Sequence, residues 1–249
     1  MTQTDDALSI AESVLLAPAN LHTPQLASLL NGKLTGQADY ADIYFQHSRH
    51  EAWVLEDGIV MESTIFYPLG GGQPGDTGIL ILNGDEYRVT DTCFAEDRVM
   101  IVHHLNDEDL SAFNVGDRVG MVLDWERRHR HMRMHTSLHL MCHLITAQAT
   151  GGSIGEAESR IDFDLQGQVV DKNNLTIEMN RLIKSQLPVT ISSITDEVLA
   201  QNPGLVRTMS VQPPKGQGSI RTVTILDTDY QPCGGTHVNN TAEIGEVIV

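Results

Sequence analysis

Cysteine is scarce in this chain: Cys93, Cys142 and Cys233 are the only three. Three thiols give no disulfide framework, which excludes the stapled secreted folds and fits a reducing compartment. Long apolar runs are missing too. No stretch approaches the ~20 residues that span a bilayer, and the polar opening at Met1 to Asp6 does not resemble a signal peptide. A cytoplasmic protein with no membrane partner is expected. Positive charge is in deficit, with 16 Lys and Arg against 33 Asp and Glu, for a formal charge of −17. Nonspecific affinity for nucleic acid comes from neutralising phosphates, so a general nucleic-acid coat is excluded and no DNA partner is expected. Binding of one end of an RNA remains open. No HExxH occurs: His50-Glu51 is followed by Val54 where a second histidine would stand, so a zinc peptidase lacks both a ligand and its general base. Internal repeats and low-complexity tracts are absent.

What is present is the composition of a globular protein, 249 residues with 41% hydrophobic and 20% charged, enough for two modest domains. Residues 4–16 and 23–32 carry helix-compatible apolar spacing, and Tyr40 to Phe45 and Ala52 to Leu55 read as short strands. From Ile59 the texture turns to strands punctuated by Gly, Asp and Asn. Ile79 to Leu82 and Tyr87 to Val89 flank the hairpin turn Asn83-Gly84-Asp85, and Val99 to His103 and Val119 to Leu123 continue the pattern. This predicts a small antiparallel β-barrel or sandwich over 59–123. A helix is expected from an N-cap at Asp124 to about Thr150, stopped by Gly151-Gly152. A half-buried strand at 158–164 follows, then a helix over Asp171 to Gln186 with Leu175, Met179, Leu182 and Ile183 on one side. Strands at Val189–Ile194 and Ser219–Leu226 precede the last loop. The fold class is α+β: a barrel at 59–123, then a domain at 124–249 with helices packed on an antiparallel sheet.

The helix carries His131, His135, His139 and His143, each four residues from the next. Imidazoles one turn apart lie on one face and can grip one ion, but three adjacent pairs satisfy that spacing and periodicity does not choose among them. About ninety residues on, Cys233-Gly234-Gly235-Thr236-His237 offers a thiolate and an imidazole on a glycine turn. Two distant pairs of this kind form the N/S set that Zn²⁺ takes readily in tetrahedral geometry. Positive charge is concentrated just before the histidines. Arg127, Arg128, Arg130 and Arg133, with His129 and His131, lie within seven positions.

Four segments carry a family resemblance. They are the glycine-rich Phe66-Tyr67-Pro68-Leu69-Gly70-Gly71-Gly72-Gln73-Pro74-Gly75-Asp76-Thr77-Gly78, His135-Thr136-Ser137-Leu138-His139-Leu140, Ser159 to Asp164, and Cys233 to His237. In this order, over 59–249, they resemble the editing domain of alanyl-tRNA synthetase and its freestanding AlaX-type relatives. The resemblance implies that His135, His139, Cys233 and His237 hold zinc. It also implies an ATP-independent ester hydrolase serving translation fidelity, which deacylates serine, and sometimes glycine, mischarged on tRNA(Ala). Four protein ligands have the look of a closed structural site, so the ion is either catalytic, through a displaced ligand or an expanded shell, or purely structural.

Such an enzyme must reject alanine, which lacks one hydroxyl. A pocket that hydrogen-bonds this hydroxyl achieves that where an apolar one cannot. Thr136, beside a ligand, and Gln73, at the end of the glycine run, are the candidate catalytic and recognition residues. Arg127, Arg128, Arg130 and Arg133 oppose the helix macrodipole, and their field suits a phosphate of the tRNA acceptor end. The alternative is a solvated face paired with acids. Cys142 and His143 are expected as core or supporting groups, and Cys93 as inert.

The first 58 residues depart from this family. Asp39 to Gln46 and His50 to Asp57 resemble the N-terminal segment of TldD-type peptidases, whose zinc motif is absent here. The chain therefore reads as an atypical leader, 1–58, joined to an editing core that stops at Val249, short of a further basic strand usual in AlaX proteins. Within the leader, Ala52 to Leu55 is expected to pair with the barrel and cover an open edge. Two other functions remain: a zinc-structured tRNA-binding module, and an inactive fusion fragment. Oligomeric state is not legible.

Overall fold

The computed structural model describes residues 47–61, 63–96, 98–207 and 218–249, with the backbone alone for 47–51. The helices expected at 4–16 and 23–32 and the strand at Tyr40 to Phe45 lie outside them. The chain divides into two compact units, one of residues up to Leu69 with Gly75–Trp125, the other of Gly70–Pro74 with Glu126–Val249.

The first unit contains β1 (His47–Val54), β2 (Ile59–Met61), β3 (Gly78–Leu82), β4 (Asp85–Val89), β5 (Asp91–Phe94), β6 (Ile101–His104), the short helix α1 (Asp107–Leu110) and β7 (Arg118–Leu123). All pairings are antiparallel, in the order β4-β3-β7-β1-β2-β6-β5. The expected hairpin between β3 and β4 is present, with Asn83 and Gly84 both at positive φ. β1 is central rather than an edge cover: His47–Glu51 pair with β7 and Ala52–Val54 with β2.

The expected barrel is not closed by a ladder between its end strands. β4 and β5 stand at the two ends of the order and are successive in the chain, joined through Thr90 alone, whose N–H donates to the His104 carbonyl at 2.8 Å. Alternation along β7 turns Val119, Met121 and Leu123 inward, where they join Ile59, Met61, Phe66, Leu80 and Val89 in one apolar core. One histidine lies in this interior. His103 Nδ1 donates to the Ile59 carbonyl at 2.8 Å, and Nε2 accepts from Thr64 Oγ1 at 2.7 Å.

Besides Gly70–Pro74, the second unit holds α2 (Trp125–Leu144) from its second residue on, then β8 (Ala149–Ser153), β9 (Arg160–Phe163), α3 (Lys172–Lys184), β10 (Val189–Ile194), α4 (Asp196–Gln201), β11 (Ile220–Ile225) and β12 (Asp229–Pro232). It pairs as a three-stranded sheet, β10-β11-β12, and a two-stranded one, β8-β9. α2 ends six residues before the expected stop at Thr150. Gly151 and Gly152 terminate nothing; they belong to β8, opposite Asp162 and Ile161 of β9. α3 follows the reading closely. Asp171 caps it, Oδ1 accepting from the N–H groups of Asn173 and Asn174, and Leu175, Met179, Leu182 and Ile183 are its buried residues. The α+β class holds. Among the described residues, no helix is long and apolar enough to cross a membrane.

Candidate metal centre

Within the second unit, α2 brings two of its four spaced histidines to one point. His135 and His139 are buried, with ring centroids 5.3 Å apart. His131 is also buried, and His143 is exposed. One ion cannot reach both outer positions, because twelve residues of helix cover roughly 18 Å. The loop after β12 supplies Cys233 and His237. The His237 ring lies 4.3 Å from that of His135 and 4.6 Å from that of His139. One ligand-type atom from each of His135, His139, Cys233 and His237 falls within 4.8 Å of the others. Of the spaced pairs on α2, His135 and His139 are the one brought together with Cys233 and His237.

The loop is held from two sides. Arg221 on β11 donates through Nη1 to the carbonyls of Cys233, at 2.7 Å, and Gly235, at 2.9 Å. Gln73 reaches it from the glycine turn, where Gly70 and Gln73 exchange backbone hydrogen bonds around Gly71 and Gly72, both at positive φ. That two-residue turn requires φ above zero at both central positions, which explains the glycines.

Each histidine points Nε2 at the cluster because Nδ1 is engaged elsewhere. The Gln73 amide is oriented by Thr236, whose N–H donates to Oε1 at 3.1 Å while Gln73 Nε2 donates to Thr236 Oγ1 at 2.8 Å. Oε1 therefore accepts from His135 Nδ1–H, at 3.0 Å. The Thr136 hydroxyl donates its one hydrogen to the Met132 carbonyl at 2.8 Å, so it accepts from His237 Nδ1–H at 3.1 Å and from the Val238 N–H at 3.3 Å. His139 Nδ1 donates to Asp229 Oδ2 at 2.9 Å. Three imidazoles with Nδ1 held by outer acceptors and Nε2 turned to the cluster are what a metal centre requires of its ligands. The set fits a borderline-soft cation on geometry and on donor chemistry.

The electrostatics favour a thiolate at Cys233 and a neutral His237, and differ at His139. Burial opposes ionisation of the Cys233 thiol, but His135 and His237 outweigh it and hold the thiol well below its usual range. Burial, joined by His135, keeps His237 neutral, well below its ordinary value. For His139 burial acts downward, yet the Asp229 hydrogen bond and Cys233 prevail and raise it to about 10. The Cys142 thiol is pushed up to about 11, chiefly by burial. Cys93, in the first unit, is also raised by burial and by Asp91 and Asp57, and lies 3.0 Å from His104 Nε2.

The four arginines do not form one patch. At about 100° per residue, Arg127 and Arg130 share a face and Arg133 lies at its margin, while Arg128 is turned away from them. Arg128 is 1% exposed. Arg133 Nε donates to the Ile244 carbonyl at 2.8 Å. Arg127 and Arg130 share Glu156, each at 3.0 Å, and Arg130 also pairs with Glu126. Thr136 and Gln73 do stand at the cluster, as supports of His237 and His135.

Asp229, Gln231 and Arg221 were missed in the sequence, although a signal was there. Asp229, Gln231 and Cys233 alternate along β12 and its extension, which puts them on one face.

Comparison with known proteins places this chain in a family. A model described as tRNA synthetases class II (A) matches residues 38–127, and one described as threonyl and alanyl tRNA synthetase second additional domain matches 220–249. The chain is 34% identical over 194 residues to the alanyl-tRNA editing protein AlaX-M of Methanosarcina barkeri, covering 75% of this chain and 79% of that protein. It is 34% identical to AlaX-L of Pyrococcus horikoshii, over 77% of this chain and 46% of that one. Alanine–tRNA ligase of Pyrococcus abyssi is also 34% identical, over 78% of this chain and 21% of the ligase. The first match starts at residue 38, so the part of the leader from 38 to 58, with its TldD resemblance, falls inside the synthetase-family match.

Proposed function

This chain belongs to the AlaX family of alanyl-tRNA editing proteins, and on that premise we propose that it is a zinc-dependent trans-editing hydrolase that removes serine from mischarged tRNA(Ala). The observation that carries the reading is the convergence of His135, His139, Cys233 and His237, each histidine with its outer nitrogen engaged.

These four residues would hold the ion. When bound, zinc supplies a fixed positive charge that polarises the ester carbonyl or anchors the amino group of the aminoacyl end. The rest is the work of the chain. An aminoacyl ester is already activated, so its hydrolysis needs a positioned water and charge stabilisation rather than a strong nucleophile. Cys233 is half-buried and Gly234 exposed, while the histidines are buried, so the aminoacyl end approaches from the Cys233 side.

Discrimination against alanine is assigned to Gln73. Of its two amide hydrogens, one goes to Thr236 Oγ1, and the other has no acceptor among the described residues although the side chain is fully buried. A serine hydroxyl would satisfy it and alanine would not. Thr136 has its hydroxyl fully engaged and acts by orienting His237. Arg127 and Arg130 are the arginines available to the acceptor-end phosphates, which would compete with Glu156 for them.

The test is hydrolysis of Ser-tRNA(Ala), Gly-tRNA(Ala) and Ala-tRNA(Ala) by the purified chain. Fast release of serine with Ala-tRNA(Ala) spared supports the reading. A second reading, a zinc-structured tRNA-binding module, is favoured by the four-residue donor set itself, which is that of closed structural sites. Tight tRNA binding without deacylation would select it.

A further inference from the structure

We propose that Asp229 is a positioning residue of the metal centre: acting through His139, its carboxylate supplies the second negative charge that a buried dication requires and fixes the donor nitrogen on the cluster. The inference rests on the zinc reading above. The three outer contacts of the histidines are not equivalent. His135 is held by the neutral amide of Gln73 and His237 by the neutral hydroxyl of Thr136. His139 alone is held by a carboxylate, at 2.9 Å.

Apart from His139, that carboxylate has no cationic partner among the described residues. Its side chain is 2% exposed. Besides His139 it receives a hydrogen bond from Gln231 Nε2, at 2.9 Å to the same Oδ2. A buried carboxylate whose hydrogen-bond partners are one amide and one imidazole is costly to desolvate unless a positive charge lies on or beyond the ring. A dication one imidazole ring away removes the imbalance: its two positive charges meet one from the Cys233 thiolate and one from Asp229, and the buried set becomes neutral. The hydrogen bond also increases the electron density that His139 can donate and fixes the plane of its ring. Strand geometry delivers all of this at once, since Asp229, Gln231 and Cys233 lie on one face at successive alternate positions.

The experiment uses the full chain and zinc alone. Zinc affinity is measured by competition with a chromophoric chelator for the wild type, Asp229→Asn and Gln231→Ala, with the cobalt-substituted absorption spectrum as a second readout. Asp229→Asn keeps size and an acceptor but removes the charge. It should weaken zinc binding roughly 10–100-fold and shift the cobalt ligand-field bands, while the thiolate charge-transfer band and the melting of the metal-free protein stay near wild type. Gln231→Ala, which leaves the Asp229–His139 bond in place, should change affinity by only a few-fold. If Asp229→Asn fails to fold, Asp229→Ser, with a small neutral acceptor, should show the same loss. Zinc affinity within about twofold of wild type in the charge-neutral variant, with an unchanged cobalt spectrum, would overturn the inference alone. A wild type that binds no zinc would overturn it together with the reading it rests on.

Discussion

Gly235 lies against His135 so closely that a Cβ on it would stand 2.1 Å from the ring carbon Cε1 and 2.4 Å from Nδ1. The second glycine of the loop is therefore a requirement of ligand packing, whereas a Cβ on Gly234 would meet nothing within 4 Å. Gly235→Ala should displace the ring or the loop and abolish stable zinc binding. Gly234→Ala should retain it. Metal content after gel filtration separates the two, and equal retention in both would contradict the packing argument.

The Thr136 hydroxyl serves three partners inside the protein, which predicts how its loss is felt. Thr136→Val strands the His237 Nδ1–H and weakens the support of the Val238 N–H. Leaving buried donors unsatisfied costs about 1–3 kcal/mol. Zinc affinity and stability should both fall, while the ratio of Ser-tRNA(Ala) to Ala-tRNA(Ala) hydrolysis in the zinc-loaded fraction stays near wild type. Gln73→Leu should collapse that ratio. A collapsed ratio in Thr136→Val would return the threonine to substrate recognition.

Much of this site was legible in the chain, and the failures have physical causes. By spacing alone His135 and His139 are one pair among three, because helical spacing repeats along the whole of α2; the family resemblance named them, and the position of the Cys233 loop is what brings the other two donors to this pair. The arginines looked like a patch because they are close in sequence, yet helical rotation sends Arg128 inside and Arg133 to a backbone carbonyl. Gly151-Gly152 gave the same signal whether it stopped a helix or lay in a strand, and its pairing with β9 is a long-range fact. Asp229 was overlooked because a single acid before a cysteine is common, and its meaning depends on the His139 contact.

Arg127 and Arg130 should therefore behave differently from Arg133. Replacing the first two by Ala should raise KM for the tRNA and steepen neither thermal nor chemical unfolding, since exposed ion pairs contribute at most ~1 kcal/mol. Arg133→Ala removes a charged donor from the Ile244 carbonyl and should cost about 1–3 kcal/mol of stability with KM unchanged. Kinetics and denaturant melts on the three variants decide it, and a reversed pattern would locate the tRNA contact at Arg133.

His103 predicts an acid sensitivity of the first unit. Its ring is fully buried, and burial outweighs the bond to the Ile59 carbonyl, with His104 acting in the same direction as burial, to depress its pKa from 6.5 to about 4. The unfolded chain takes up a proton that the native state refuses between these values. The contribution is therefore full above about 6.5 and is lost as pH falls through about 4, amounting to about 3 kcal/mol. Urea midpoints at pH 7.5 and 4 should fall less in His103→Gln than in wild type. Equal falls would show that the ring does not control this range.

The most direct test of the central claim is single-turnover hydrolysis of Ser-tRNA(Ala) by one protein sample in three states: as purified, stripped by a chelator, and reloaded with one equivalent of zinc. Activity that disappears on stripping, returns on reloading, and stays absent in His135→Ala and Cys233→Ala is the expected result. Undiminished hydrolysis by the stripped protein, or a fully zinc-loaded chain that leaves Ser-tRNA(Ala) intact, would contradict it.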